Sequence, residues 1–400
     1  MKRQLFLTLC AWVALPLLVN AQNTDIPLVY NVENTGSEFA MPLMPPADQL
    51  PVIHDLPDAL QGVSSFDDWA HRRSDISHMI QHYGLGRKPA MEPGQVQARM
   101  DADTLEVTVC VKGQKLTLRS TIHYPKEGQP PFPLMIGTSM ISLPRQMFQD
   151  RPIAIMTFHE RQVVNYGQFG PHLERGQHPF DQLYPELTDN GAYICWAWGL
   201  SRLLDGLQLL GPEVTKIDMG HVGVTGCSYA GKMALYCGAF DERIALTIAQ
   251  EPGGGGAAAW RASHESKERV EDIDKTDYHW FLESQRLNFQ GDSVYRLSYD
   301  QHELCAMVCP RALLLLGNPD YIWLSDPAML RSAVAARKVW NQFGIADRMG
   351  WSIVGNHPHC QLPESQWPAV QAFIDRFLLG RQVDTNVTHS EIPANLLQDD

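Results

Sequence analysis

A serine at 228, carboxylates at 251 and 320 and a histidine at 359 follow one another along the chain, and together they could carry out acyl transfer. A serine hydroxyl is a weak nucleophile until an imidazole takes its proton, and a carboxylate must orient that imidazole and stabilise its charged form. Ser228 lies in Val222-Gly223-Val224-Thr225-Gly226-Cys227-Ser228-Tyr229-Ala230-Gly231-Lys232. Small and β-branched residues open this stretch and predict a buried strand. The chain turns at Gly226, and Lys232-Met233-Ala234-Leu235-Tyr236 predicts the start of a helix. A strand–turn–helix of this kind holds the hydroxyl clear of the sheet, with the first helical N–H groups beside it. Ser228 is then the nucleophile, His359 the general base, and Glu251 or Asp320 the orienting acid. The backbone N–H of Tyr229 is a candidate donor to the oxyanion formed on attack. The same letters also spell Gly, four residues, Gly-Lys, close to a phosphate-binding loop. That loop needs Ser or Thr after the lysine to hold Mg²⁺; here the residue is Met233, whose thioether is a poor ligand for a hard cation.

The elements that must position these groups alternate. Residues 66–83 predict a helix with Trp69, Ile76, Ile80 and Tyr83 on one face. Residues 104–110 and 115–123 alternate apolar and polar and predict an antiparallel hairpin. Short apolar runs at 133–137, 152–156, 244–249, 312–317 and 351–354 predict buried strands, and 196–210, 328–343 and 366–378 predict helices. Residues 261–300 are polar, aromatic and irregular, suited to a lid or insertion. Strands alternating with helices imply an α/β fold of α/β-hydrolase type, a three-layer sandwich around a mostly parallel sheet. Catalytic groups in such folds sit just past the strands' C-terminal ends. Ser228, Glu251, Asp320 and His359 all do, in the order nucleophile, acid, histidine.

Of 400 residues, the first 21 read as an export leader: Met1-Lys2-Arg3 is basic, residues 5–19 are apolar, and Val19-Asn20-Ala21 suits cleavage. No later run is long and apolar enough for a membrane span, so a secreted or periplasmic protein is expected. Residues 22–65, with Pro42, Pro45, Pro46, Pro51 and Pro57, read as an extended arm or partly loose linker. The catalytic domain is expected over 66–380 and a loose tail over 381–400. A net charge of −13 argues against nucleic-acid binding; a monomer is expected. Of eight cysteines, Cys10 falls in the leader, and the remaining odd number leaves at least one unpaired. No Cys-x-x-Cys pair with histidine spacing marks a structural zinc. Fifteen histidines compete for the role of base, His357 most closely. His359 is preferred because Cys360 follows it and Cys227 precedes Ser228, so that a disulfide between them would pin the two loops together.

These motifs resemble the glucuronoyl esterases, carbohydrate esterase family 15, in a bacterial-type form. The resemblance rests on Gly226-Cys227-Ser228-Tyr229-Ala230-Gly231-Lys232, on Glu251-Pro252-Gly253-Gly254-Gly255-Gly256 through Trp260-Arg261, on Asn318-Pro319-Asp320 through Trp323-Leu324, and on His357-Pro358-His359-Cys360. It covers about residues 66–380. It implies a serine esterase without metal or cofactor, acting on uronic-acid-bearing polysaccharide or oligosaccharide, at the ester between lignin alcohols and 4-O-methyl-glucuronoyl groups of xylan. By resemblance Ser228 is the nucleophile, His359 the base and Glu251 the acid, and some bacterial members use an acid after a later strand, for which Asp320 is the nearest candidate. Lys232 matches a lysine contacting sugar hydroxyls and Trp323 a tryptophan beside the sugar. Arg261 and Glu268 are further sugar-contact candidates. The family's disulfide joins the equivalents of Cys227 and Cys360.

Two positions depart from the family pattern. Ala259 stands where members often carry a disulfide cysteine. Tyr229 stands where an arginine usually helps to stabilise the oxyanion, and a phenol brings one proton and no charge. A slow esterase, an esterase for acetyl or feruloyl groups, or a carbohydrate-binding homologue without turnover are the alternatives this substitution raises.

Overall fold

The computed structural model describes residues 26–167, 171–266 and 268–392. The expected leader at 1–21 and the end of the tail at 393–400 lie outside the described residues. Ten strands form one sheet: β1 (Val96–Asp101), β2 (Thr104–Val111), β3 (Gln114–His123), β4 (Phe132–Thr138), β5 (Ala154–Phe158), β6 (Ile217–Cys227), β7 (Leu246–Gln250), β8 (Ala312–Gly317), β9 (Met349–Ile353) and β10 (Thr388–Ser390). Their spatial order is β1-β2-β3-β5-β4-β6-β7-β8-β9-β10. The first three strands and β5 pair antiparallel; all other pairs are parallel.

The two parts of the sheet follow from two sequence patterns. In β2, Leu105, Val107, Val109 and Val111 are buried while the alternate residues are half-exposed, as one covered face requires. In β7, β8 and β9 every residue is buried, because helices cover both faces. Period-two alternation then sorts the side chains: Leu313 and Leu315 join one core, Leu314 and Leu316 the other. The first core packs against the helices Ala192–Leu210, Tyr229–Phe240 and Asp326–Gln342. The second packs against Trp367–Phe377, which buries Val370, Phe373, Ile374 and Phe377 as one stripe at helical spacing. This is the three-layer α/β arrangement expected from sequence.

The predicted elements recur with small shifts. The hairpin, β8 and the last three helices match within a few residues, and helix Phe66–Ile80 starts at a Ser65–Asp68 capping box before passing into a wider turn at Gln81–Leu85. Strand β1 went unmarked; it is a polar edge strand, half-exposed or exposed throughout. The loose-tail reading of 381–400 is corrected over its described part. Thr388–Ser390 pairs in parallel with Trp351–Ile353 of β9, and the Gly355 N–H donates to Glu391 Oε2 at 2.7 Å. The open edge of β9 supplies the partner; Thr-His-Ser is too short and polar to announce a strand.

Residues 26–65 run along the domain surface and are fastened by hydrogen bonds. Tyr30 N–H donates to Glu242 O at 3.0 Å and Ile53 N–H to Tyr295 O at 2.7 Å. Glu33 is bound by Lys88 at 2.5 Å and by the buried Arg202, and Tyr83 Oη donates to Pro45 O at 2.6 Å. Among the described residues no helix is long and apolar enough to cross a membrane.

Candidate active site

Strand β6 ends at Cys227, and Ser228 turns the chain into helix Tyr229–Phe240 with φ 59° and ψ −126°. An L-residue adopts this conformation only under constraint from its surroundings. The constraints are visible. Ser228 N–H donates to Gln250 O at 3.0 Å, and Thr138 Oγ1 donates to Thr225 O at 3.2 Å and to Ala230 O at 2.7 Å. Gly226 is required by crowding, since a Cβ there would lie 2.2 Å from Thr138 Oγ1 and 2.3 Å from Ala230 O. Gly231 is required likewise, its Cβ falling 2.3 Å from Gln250 O.

Glu251 follows β7 with φ 46° and is buried. Its Oε2 lies 2.5 Å from His359 Nδ1, and its Oε1 accepts the Cys360 N–H at 3.1 Å. With Nδ1 bound to the carboxylate, Nε2 of the neutral ring is the proton acceptor. Tyr321 Oη accepts the His359 N–H at 2.9 Å and fixes the loop from a second side. Cys227 and Cys360 form a disulfide with Cα atoms 5.6 Å apart, 133 residues apart in sequence. A ring nitrogen of His359 and both sulfurs lie within 4.8 Å of one another, but sulfurs joined to each other offer no thiolate to a metal. Cys110, Cys195, Cys237, Cys305 and Cys309 are free.

The competitors for these places sit elsewhere. His357 is buried, with Nε2 2.9 Å from Val354 O and Nδ1 3.2 Å from Asn318 Nδ2, so both ring nitrogens are engaged away from any carboxylate. Asp320 Oδ2 accepts the Asn356 N–H at 2.6 Å and lies against Gly355. It caps that turn, and the carboxylate on the imidazole is Glu251.

A cavity of about 240 Å³ opens on Ser228, lined also by Tyr229, Lys232, Glu271, Trp280 and Trp323. Lys232 Nζ lies 2.8 Å from Glu271 Oε2 and 5.3 Å from the centre of the Trp280 ring. Thr276 Oγ1 donates to Glu271 Oε1 at 2.9 Å. Trp323 is 49% exposed, with its ring 6.0 Å from that of His359. One expected sugar contact is corrected. Arg261 is buried, its guanidinium donating to Ile53 O, Tyr299 O and Leu297 O and pairing with Asp300 at 3.0 Å. Every arm of that fork is used to tie the insertion to residue 53, which leaves nothing for a ligand. Glu268 is exposed and lines a neighbouring cavity of about 540 Å³ beside Ile322. Glu271, three residues on, reaches the lysine instead. Sequence reading missed it because two glutamates in an irregular segment carry no periodicity to separate them.

Tyr229 is half-buried. Its Oη lies 2.9 Å from Ser139 Oγ and 3.3 Å from Glu160 Oε1. Burial raises the phenol above its usual range, so it keeps its proton at neutral pH. Its backbone N–H is the first of helix Tyr229–Phe240, where intrahelical partners are lacking.

A family model described as glucuronyl esterase, fungi, matches residues 107–344. A 4-O-methyl-glucuronoyl methylesterase of Thermothelomyces thermophilus is 34% identical over 367 residues, covering 88% of this chain and 89% of that protein. Among solved structures, the glucuronoyl esterase catalytic domain from Hypocrea jecorina superposes with a TM-score of 0.79 at 33% identity, over 89% of this chain and 97% of that one. A mutant glucuronoyl esterase from Sporotrichum thermophile, in complex with methyl 4-O-methyl-β-D-glucopyranuronate, gives a TM-score of 0.78 at 32% identity, over 87% and 94%. With its elbow serine, its buried carboxylate on an imidazole and these relatives, the chain belongs to the glucuronoyl esterase family and is a carboxylic-ester hydrolase of α/β-hydrolase fold.

Proposed function

We propose that the chain is an exported serine esterase that hydrolyses esters of 4-O-methyl-glucuronoyl groups carried on xylan. The observation that carries this reading is the covalent joint between the elbow and the histidine loop. Cys227 precedes Ser228, Cys360 follows His359, and Glu251 binds the imidazole of one and the N–H of the other. The names of the relatives and the bound methyl uronate of one of them support the substrate class.

In the proposed reaction Ser228 Oγ attacks the ester carbonyl while His359 Nε2 takes its proton. Glu251 holds Nδ1–H and stabilises the imidazolium without itself becoming protonated. The oxyanion forms beside the Tyr229 N–H. His359 returns the proton to the departing alcohol. Water then attacks the uronoyl-serine ester, giving its proton to His359, and Ser228 recovers a proton as the uronic acid leaves. Lys232 and Glu271 face the sugar hydroxyls as one donor and one acceptor, and Trp323 offers a half-exposed ring for a sugar face.

Alcohol release from the methyl and benzyl esters of 4-O-methyl-glucuronic acid tests the reading, with Ser228→Ala as control. Turnover that vanishes in the variant supports it. Turnover on acetyl xylan or a feruloyl ester but not on the uronate ester would move the chain to another ester. Tight uronate binding without turnover would make it a binding protein.

A further inference from the structure

The fold supplies one oxyanion donor from the residue after the nucleophile and a second from the loop after the neighbouring strand. Here that strand is β4, whose Gly137 pairs with Thr225 of β6. Ser139 directly follows that strand, and its Oγ meets the side chain of Tyr229, the residue after the nucleophile, at 2.9 Å. The first two N–H groups of this loop are already spent. Ser139 N–H donates to Phe158 O at 3.0 Å, and Met140 N–H to Thr138 O at 2.7 Å. What the loop does offer is a half-buried hydroxyl on a residue held at φ 64°. A non-glycine residue at positive φ is held there by its surroundings, and such residues cluster at active sites.

Tyr229 and Glu160 account for the orientation of that hydroxyl. The phenol has one proton and two oxygen neighbours, Ser139 Oγ at 2.9 Å and the carboxyl oxygen of Glu160 at 3.3 Å. The shorter contact is the one to the serine, so the phenol donates to Ser139 Oγ, with the buried Glu160 as a longer, second acceptor. The phenol is then not available to an oxyanion, although it occupies the side chain next to the nucleophile. Ser139 Oγ is thereby held as an acceptor, and the proton of its own hydroxyl is left to turn toward the elbow.

We propose that Ser139 Oγ–H is the second oxyanion donor of this chain, with Tyr229 and Glu160 as positioning residues that hold its oxygen in place. The proposal rests on Ser228 being the nucleophile of an ester hydrolase. It does not depend on which ester is the natural substrate.

The test is Ser139→Gly, which removes the hydroxyl while suiting φ 64° better than serine does. Thermal unfolding should show a fold at least as stable as the parent. Hydrolysis of both the methyl uronate and p-nitrophenyl acetate should lose about 10²–10³ in kcat, with KM changed little. Tyr229→Phe should cost less, about tenfold in kcat. Because the phenol acts through the serine, the double variant should be no slower than Ser139→Gly alone. Parental kcat in Ser139→Gly overturns the proposal, as does a larger loss in Tyr229→Phe than in Ser139→Gly, which would make the phenol itself the donor. If the acetate shows these effects and the uronate is not turned over at all, the donor assignment stands and the substrate reading falls.

Discussion

The two sides of the Ser228 pocket are built differently. On one side Ser228, Glu251 and Cys360 all take positive φ, at 59°, 46° and 64°, and a disulfide and a buried carboxylate hold them there. Each such residue costs about 1–3 kcal/mol of backbone strain, which persists only where the surroundings over-determine it. On the other side the side chains of Tyr229, Lys232 and Glu271 are set by hydrogen bonds and an ion pair. The difference matches the demands of the two tasks. Proton transfer needs the imidazole at one angle throughout, so the tethered side cannot yield. A sugar must displace existing partners as it enters, so the recognition side uses contacts that can be exchanged.

Removing the nucleophile should separate the sides most sharply. Ser228→Ala should reduce kcat on the methyl uronate by about 10⁶, while calorimetric binding of the free uronate stays near parental. Loss of binding together with turnover would mean that the two sides are not independent. Next in size is the acid. Glu251→Gln should lower kcat about 10³–10⁴-fold, since an amide cannot stabilise the imidazolium. Asp320→Asn should change kcat by no more than about twofold, because its carboxylate faces the Asn356 N–H. Reversal of that ranking would reassign the acid to Asp320.

The tether itself is testable through stability. A double Cys227→Ser, Cys360→Ser variant opens a covalent loop spanning 133 residues and should lower the unfolding free energy by roughly 3–5 kcal/mol, read by denaturant titration. Its kcat should fall more than its KM rises, since the bond joins the nucleophile and base loops rather than the sugar contacts. Unchanged kcat would mean that Glu251 and Tyr321 align His359 without the bond.

The tethered side was the legible one. Glycine, serine and cysteine around an elbow, a cysteine after a histidine and acids past strand ends are local signals, and each names a chemistry by its spacing. The parallel strands were legible for the same reason, as continuous apolar runs between turns. Recognition residues were not. Glu271 and Glu268 look alike in an irregular segment, and only the fold puts one of them 2.8 Å from Lys232. Arg261 is expected at the sugar from the family resemblance, yet its partners are carbonyls from residues 53, 297 and 299 that no local pattern joins to it. Strand β10 was hidden because a three-residue polar strand exists only through the edge it meets.

On the exchangeable side, Lys232→Met should raise KM for the uronate about 10–100-fold, the worth of hydrogen bonds to a charged group, with kcat nearly kept. Glu271→Gln should act the same way. The double variant should lose less than the sum, because the two side chains are partners and either single change already removes the ion pair between them. A fall in kcat larger than the rise in KM would show that the pair also shapes the transition state.

The smallest expected effect lies behind the tethered side. Asp326 is buried, and neither carboxyl oxygen has a hydrogen-bond partner at normal distance. Burial, with the charge of Glu251 adding to it and the Asn318 N–H opposing, pushes its pKa from 3.8 up to about 7. The folded state therefore holds a proton between about pH 4 and pH 7 that the unfolded state has released, and stability falls as pH rises through that window. Asp326→Asn should remove this slope. Its Tm should gain on the parent between pH 5 and pH 8 by about 2–4 °C for each kcal/mol of stability recovered. Glu303, also raised to about 7 by burial, titrates in both proteins and cancels in the difference. Parallel Tm curves would mean that Asp326 is ionised in the fold, and that Glu251 works beside a second negative charge.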